Sequence, residues 1–236
     1  MTASLRQSEK AKNAFIADVT HELRTPLTVI NGTIETLEDG AIDDLEGRGS
    51  LLKSMQAETK RLIRLVNDLL VLTRADAGAL NLNIEEVDLG ELVRGRCDNL
   101  SVLAGSRRVT VYADVREQVK VLGDADRLTQ VLDNLLDNAI RHAPEESVVT
   151  VSVQREGDEV RCAVSDQGPG IPAQHLPYVF ERFYRVDTSR NRHTGGSGLG
   201  LAIVRSLVLA QGGRIQAVSI EGQGTSITFW LPAVAN

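Results

Sequence analysis

Between residues 4 and 38 the apolar positions Ile16, Val19, Leu23, Leu27, Ile30, Ile34 and Leu37 step by threes and fours. That spacing predicts one long helix with a coiled-coil-like seam, interrupted by proline only at Pro26. A Gly- and Asp-rich loop is expected around Asp39 to Gly49, followed by a second helix from about Ser50 to Ala77. Its seam uses Met55, Leu62, Leu65, Val66, Leu69, Leu70 and Leu72. A helix of roughly 30 residues is about 45 Å long, and two such helices cannot enclose a core along that length. Pairing with a second copy would complete a dimeric four-helix bundle, so residues 1–80 are expected to form a homodimerising α-helical hairpin.

After Asp76-Ala77-Gly78 the period changes. Short β-like runs appear at Val109–Tyr112, Val148–Gln154, Val160–Ser165, Ile215–Ser219 and Ser226–Trp230. Helical patterns lie between them at about Leu89–Ala104, Ala125–His142 and Leu199–Gln211. Strands and helices mix without regular βαβ alternation, which predicts an α+β sandwich over residues 81–236, one sheet with helices on one face. The polar stretch from Thr188 into Gly195–Gly200 is too long for a tight turn and has the character of a functional loop.

Composition narrows the function. The chain of 236 residues is 42% hydrophobic and 25% charged, which is ordinary for a folded protein. A formal net charge of −6 argues against nucleic acid or an anionic membrane surface as the main partner. Cys97 and Cys162 lack a paired spacing, so they are expected to be buried free thiols rather than a disulfide or zinc site. No run approaches 18 apolar residues, and no signal-peptide pattern opens the chain. A cytoplasmic piece is therefore expected. Its abrupt polar start, Ser4 to Lys12, fits a fragment whose upstream part is missing.

His21 is two residues from both Val19 and Leu23, which places it about 200° around the helix from each, away from the seam. An isolated helical histidine is most often a solvated surface residue. Its surroundings point elsewhere. Pro26 removes the donor for the carbonyl of Glu22 and favours a bend one turn beyond His21, and Thr25 lies on the same face at i+4. On the helix 125–142, Asn134 and Asn138 share a stripe at i,i+4 that Arg141 and His142 extend, while Asp133 and Asp137 beside it are expected to be solvated charges. Two such asparagines can simply cap neighbouring backbone, but their amide oxygens also suit a hard cation such as Mg²⁺. Asp166-Gln-Gly168-Pro-Gly170 follows an apolar strand, an arrangement equally compatible with a plain turn. Gly195-Gly196-Ser197-Gly198-Leu199-Gly200 opens a helix, where backbone N–H groups attract phosphate. Neither Rossmann nor P-loop spacing is present, nor a protein-kinase H-R-D or D-F-G set.

The run from Phe15 through His21-Glu22-Leu-Arg-Thr25-Pro26 closely resembles the H-box of sensor histidine kinases. The later elements resemble, in order, the N, G1, F and G2 boxes of the histidine kinase and gyrase-like ATPase superfamily, with Gly222-Gln-Gly224-Thr225 as the last glycine motif. The resemblance covers nearly the whole chain and implies a Bergerat-type ATP-binding fold. It further implies that His21 accepts the γ-phosphoryl group, that Glu22 orients the imidazole and takes its proton, and that Thr25 serves a phosphatase activity. Asp166 would meet the adenine amino group, with Gly168, Gly170 and Thr225 shaping that pocket. Asn134 and Asn138 would hold Mg²⁺ beside ATP, with Arg141, His142, Arg185, Gly196, Gly198, Leu199 and Gly200 near the phosphates. Val179–Arg185 matches the F-box, and Arg190, Arg192 and His193 fall in the lid. The implied partner is a response-regulator receiver domain. A full-length protein is expected to be anchored in the bacterial inner membrane through missing upstream segments. Two other readings are weighed: an ATPase that hydrolyses ATP to drive conformational change, and a nonenzymatic dimerisation scaffold with a degenerate nucleotide fold. The intact Asn134, Asn138, Asp166 and Gly198 argue against the second.

Overall fold

The computed structural model describes residues 3–186 and 196–234, with side chains from residue 16 onward. It divides into two compact units, residues 1–70 and 71–236. The sequence reading set that division at 80/81.

In the first unit, helix α1 (Ala3–Thr36) runs through Pro26 and ends in a short π-helical turn, Leu37–Ala41, where Gly40 takes a positive φ. Helix α2 (Gly47–Asp76) starts three residues before the predicted point, so the connection is tighter than the expected loop. Thr33, Leu37 and Leu65 are buried within the hairpin. Other seam residues, among them Ile16, Leu27, Ile34, Val66 and Leu70, remain exposed in the single chain.

In the second unit, β1 (Glu85–Asp88), α3 (Leu89–Ser106), β2 (Thr110–Val115), β3 (Lys120–Gly123) and α4 (Ala125–His142) come first. They are followed by β4 (Val148–Glu156), β5 (Glu159–Ser165), α5 (Gly200–Ala210), β6 (Arg214–Ile220) and β7 (Gly224–Pro232). The main sheet has the order β2-β4-β5-β7-β6, and only β2 and β4 run parallel. Strands β1 and β3 form a separate antiparallel pair that the sequence pattern did not reveal.

The core lies between the main sheet and the helices. Val149, Val151 and Val153 alternate inward from β4, and Leu128, Val131, Leu132, Leu135, Leu136 and Ile140 supply the apolar side of α4. The rest of α4 is polar, so the helix is fixed in rotation and its Asn134–Asn138 stripe is held on the half-buried side. Asp124 caps α4 by accepting from the N–H of Arg127 at 3.0 Å, and Arg107 closes its other end by donating to the carbonyl of Arg141 at 3.0 Å. Both cysteines are buried free thiols. Burial, then the nearby Asp98 charge, pushes the Cys97 thiol up to about 11, and burial drives Cys162 further up still. Among the described residues, no helix is long and apolar enough to cross a membrane.

Candidate functional site

His21 is exposed on α1, Glu22 is half-buried, and Thr25 is exposed one turn further on. Pro26, which cannot donate to the carbonyl of Glu22, is itself buried. Thr25 donates its hydroxyl to the carbonyl of His21 at 3.3 Å. Glu22 turns toward α2, where its Oε2 accepts from Arg61 Nη2 at 3.3 Å. Further along, Thr20, Leu23, Arg24, Leu27, Thr28, Asn31, Gly32 and Glu35 line an open hollow of about 700 Å³ on α1. Asn31 donates to Glu35 across one turn at 2.6 Å.

The second group of predicted residues collects around α4. Asp166 leaves the end of β5, where its Oδ1 accepts from the N–H of Gly168 at 2.8 Å and of Thr225 at 3.3 Å. Partial burial raises its carboxyl above the usual range, while those two N–H donors and the charge of His142 pull the other way. The loop 166–170 is stitched to the β6–β7 turn. Gly222 N–H donates to the carbonyl of Pro169 at 2.7 Å, Ile171 N–H to Ser219 Oγ at 2.8 Å, and Ser219 in turn to the carbonyl of Gly224 at 2.7 Å. Ser219 had no sequence signal, being one hydroxyl within a strand. Gly224 is required here: its φ is +105° and a Cβ would collide with the carbonyl oxygen of Asp166. Gly168 packs against the last turn of α4, where an added Cβ would lie 2.7 Å from the carbonyl oxygen of His142.

Along α4, Asn134 donates Nδ2 to the carbonyl of Gln130 at 3.0 Å, which leaves Oδ1 facing the start of α5. A Cβ on Gly200 would lie 3.3 Å from that oxygen. Arg141 pairs with Asp137 and approaches Gly196 closely enough that a Cβ there would lie 2.8 Å from its Nη1. Asn138 is half-buried on the same helix. His142 is exposed by surface, yet enough protein surrounds its ring for desolvation, followed by the Arg141 charge, to hold the imidazole below its ordinary range. Two aspartates read as solvated are engaged: Asp133 accepts from Arg96 Nε at 2.7 Å, and Asp137 takes Arg141.

Leu199 is fully buried just before α5. Gly198 accepts from the N–H of Phe183 at 2.9 Å, and Phe183 itself has a φ of 60°. Arg185 is half-buried near the end of the F-box run. Gly170 packs on Ile220 and Glu221, at the turn rather than toward α4. Arg190, Arg192 and His193 lie outside the described residues.

The donor set fits a Mg²⁺–nucleotide pair better than a protein-only metal cage. Among the described residues no three His, Cys, Asp or Glu side chains gather as ligands. Asn134 offers a neutral oxygen beside a helix N-terminus, the combination suited to a hydrated Mg²⁺ that takes most remaining ligands from phosphate and water.

Residues 11–78 match the His Kinase A (phospho-acceptor) domain family, and residues 123–235 match the histidine kinase-, DNA gyrase B-, and HSP90-like ATPase family. The chain is 41% identical to the sensor histidine kinase WalK of Bacillus subtilis (strain 168), over 95% of its own length and 37% of that relative. It thus spans little more than a third of that relative. A mycobacterial sensor histidine kinase, MprB, is similar at TM-score 0.56 and 32% identity, covering 65% of this chain and 99% of the other. Full-length ShkA in complex with AMPPNP is similar at TM-score 0.70 and 31% identity, covering 94% of this chain and 46% of the other.

Proposed function

This chain belongs to the sensor histidine kinases, and we propose that it is the catalytic core of one, a protein-histidine kinase that phosphorylates its own His21 from ATP. Residues 1–80 would act as the dimerisation and phosphotransfer domain and residues 81–236 as the ATP-binding domain. The observation that carries this reading is an exposed imidazole, His21, inside a helical hairpin matched to a phospho-acceptor family, on a chain that also folds the matching ATPase domain.

A neutral ring nitrogen of His21 attacks the γ-phosphorus. The P–N bond forms as the bond from phosphorus to the bridging oxygen breaks and ADP departs. Glu22 accepts the proton from the other ring nitrogen, which neutralises the developing imidazolium. Asp166 takes the adenine amino group, with Gly168, Gly170 and Thr225 shaping its surroundings. Asn134 and Asn138 would hold Mg²⁺, which would supply charge neutralisation on the phosphates. Arg141, His142, Arg185 and the backbone of Gly196–Gly200 complete the phosphate side.

The phosphoryl group then passes to an aspartate on a response-regulator receiver domain. The hollow beside His21 supports that docking, since Thr28, Asn31, Gly32 and Glu35 line it at helical spacings from the histidine. Thr25 serves dephosphorylation of the regulator. The exposed seam residues of the hairpin support a homodimer, because a second hairpin would cover them. The full-length protein would be held at the bacterial inner membrane by segments outside this chain, with this core in the cytoplasm.

Incubation with γ-labelled ATP tests the reading. The expected product carries label that survives alkali and is lost in acid, whereas label absent from the protein or stable to acid overturns it.

A further inference from the structure

Arg61 on α2 stands between two carboxylates. Its Nη2 meets Glu22 Oε2 at 3.3 Å across the hairpin, and its Nη1 lies 3.6 Å from Glu58 Oε2, one turn earlier on its own helix. The three side chains retain only about a quarter of their exposure, at 23%, 22% and 26%. Glu58 Oε2 is fully buried and, among the described residues, lacks a hydrogen-bond partner. A buried carboxylate oxygen without a donor is unfavourable, and the nearest remedy is the guanidinium that Glu22 now holds. Arg61 is thus shared between the two carboxylates, with the shorter contact on Glu22 and Glu58 Oε2 just beyond hydrogen-bond reach.

Glu22 has a second demand on it. Its proposed task places its carboxylate at the imidazole of His21, but neighbouring residues on a helix point about 100° apart. In this structure the carboxylate faces α2 instead.

We infer that Arg61 is a positioning residue for Glu22, and that Glu58 is the alternative acceptor which draws Arg61 away and frees the Glu22 carboxylate for His21. The inference rests on His21 being the phosphoryl acceptor. The chemical step is unchanged: the His21 P–N bond forms as ADP leaves, and the imidazole proton passes to Glu22. Arg61 touches no reacting atom and sets only when Glu22 is available.

The test compares single-turnover self-labelling at saturating γ-labelled ATP for the parent, Glu58→Gln and Glu58→Gln/Arg61→Gln, with nucleotide affinity measured on each. Glu58→Gln leaves Arg61 no second carboxylate, so labelling should slow roughly fivefold, the scale of a redistributed, partly exposed ion pair. ATP affinity should not change. The double variant leaves nothing holding Glu22 and should recover at least the parental rate. A purely structural role predicts the reverse, with damage accumulating in the double variant. Parental labelling by Glu58→Gln, or a double variant no faster than the single, overturns the inference. A parent that takes no alkali-stable label overturns the acceptor assignment itself, a failure distinct from the other two.

Discussion

Thr25 donates its hydroxyl back to the carbonyl of His21 at 3.3 Å, one turn along an exposed helical face. That bond uses the hydroxyl proton and leaves the oxygen lone pairs to accept from a water molecule. Orienting such a water is the role proposed for Thr25 in removing phosphate from the regulator. Because the hydroxyl does not change the nucleophilicity of His21, Thr25→Ala should retain autophosphorylation and forward transfer while slowing regulator dephosphorylation, by about tenfold or more. Both rates measured on one preparation decide the point. If the back-bond serves only the helix, the two activities fall together or neither changes.

Asn138→Ala should lose Mg²⁺-dependent nucleotide binding and self-labelling together, while Asn138 lies outside the apolar core of α4 and its removal should leave the fold intact. Calorimetric titration with ATP-Mg²⁺ checks this. Unchanged affinity would remove Asn138 from the proposed ligand set.

Gly224→Ala should destabilise the second unit by about 2 kcal/mol or more, since it combines a positive φ with a collision against the Asp166 backbone. The expected readout is a lowered denaturation midpoint together with weakened nucleotide binding, because the displaced backbone carries Asp166. A midpoint equal to the parent's would mean that the β6–β7 turn does not support Asp166 as described.

The Asp166 carboxyl gives a pH prediction. Its folded pKa is raised, so its favourable contribution is present below the ordinary carboxylate value of 3.8 and is lost as pH rises through the higher folded value. At pH 7 the ionised group is therefore a net burden on the nucleotide-free fold. Asp166→Asn should leave that fold as stable or more stable at pH 7, and the advantage should vanish below about pH 3.8. Its amide oxygen can still accept from Gly168 and Thr225. Adenine recognition should fail, since the amide no longer offers the same acceptor charge. Thermal melts at the two pH values check the sign, and greater stability of the parent at pH 7 contradicts it.

What could be read from the chain depended on range. Helix α4 was legible to the residue, from Ala125 to His142, because its apolar stripe is continuous and its polar side carries the paired asparagines. The H-box around His21 was legible for the same local reason. Strands β1 and β3 were not: each has four residues, and Glu85, Glu86 and Lys120 give them no hydrophobic alternation until they pair with each other. The π-helical turn Leu37–Ala41 overlaps the start of the expected loop at Asp39, and within it Gly40, at a φ of 108°, leaves the helical backbone, a kink in keeping with its reading as a loop residue. Asp133 read as a solvated charge because its partner, Arg96, is 37 residues away. Arg61 was missed for that reason too. Nothing in the local spacing of α2 marks it until the hairpin sets Glu22 beside it.

The central claim is most directly tested by comparing the parent chain with His21→Gln after incubation with γ-labelled ATP and Mg²⁺, with nucleotide affinity measured on both. His21 and the proposed nucleotide site lie in different units of the chain, so His21→Gln should bind ATP as the parent does yet take no alkali-stable, acid-labile label. Persistent label of that kind on His21→Gln, with the parent labelled to the same extent, would contradict the assignment of His21 as the phosphoryl acceptor.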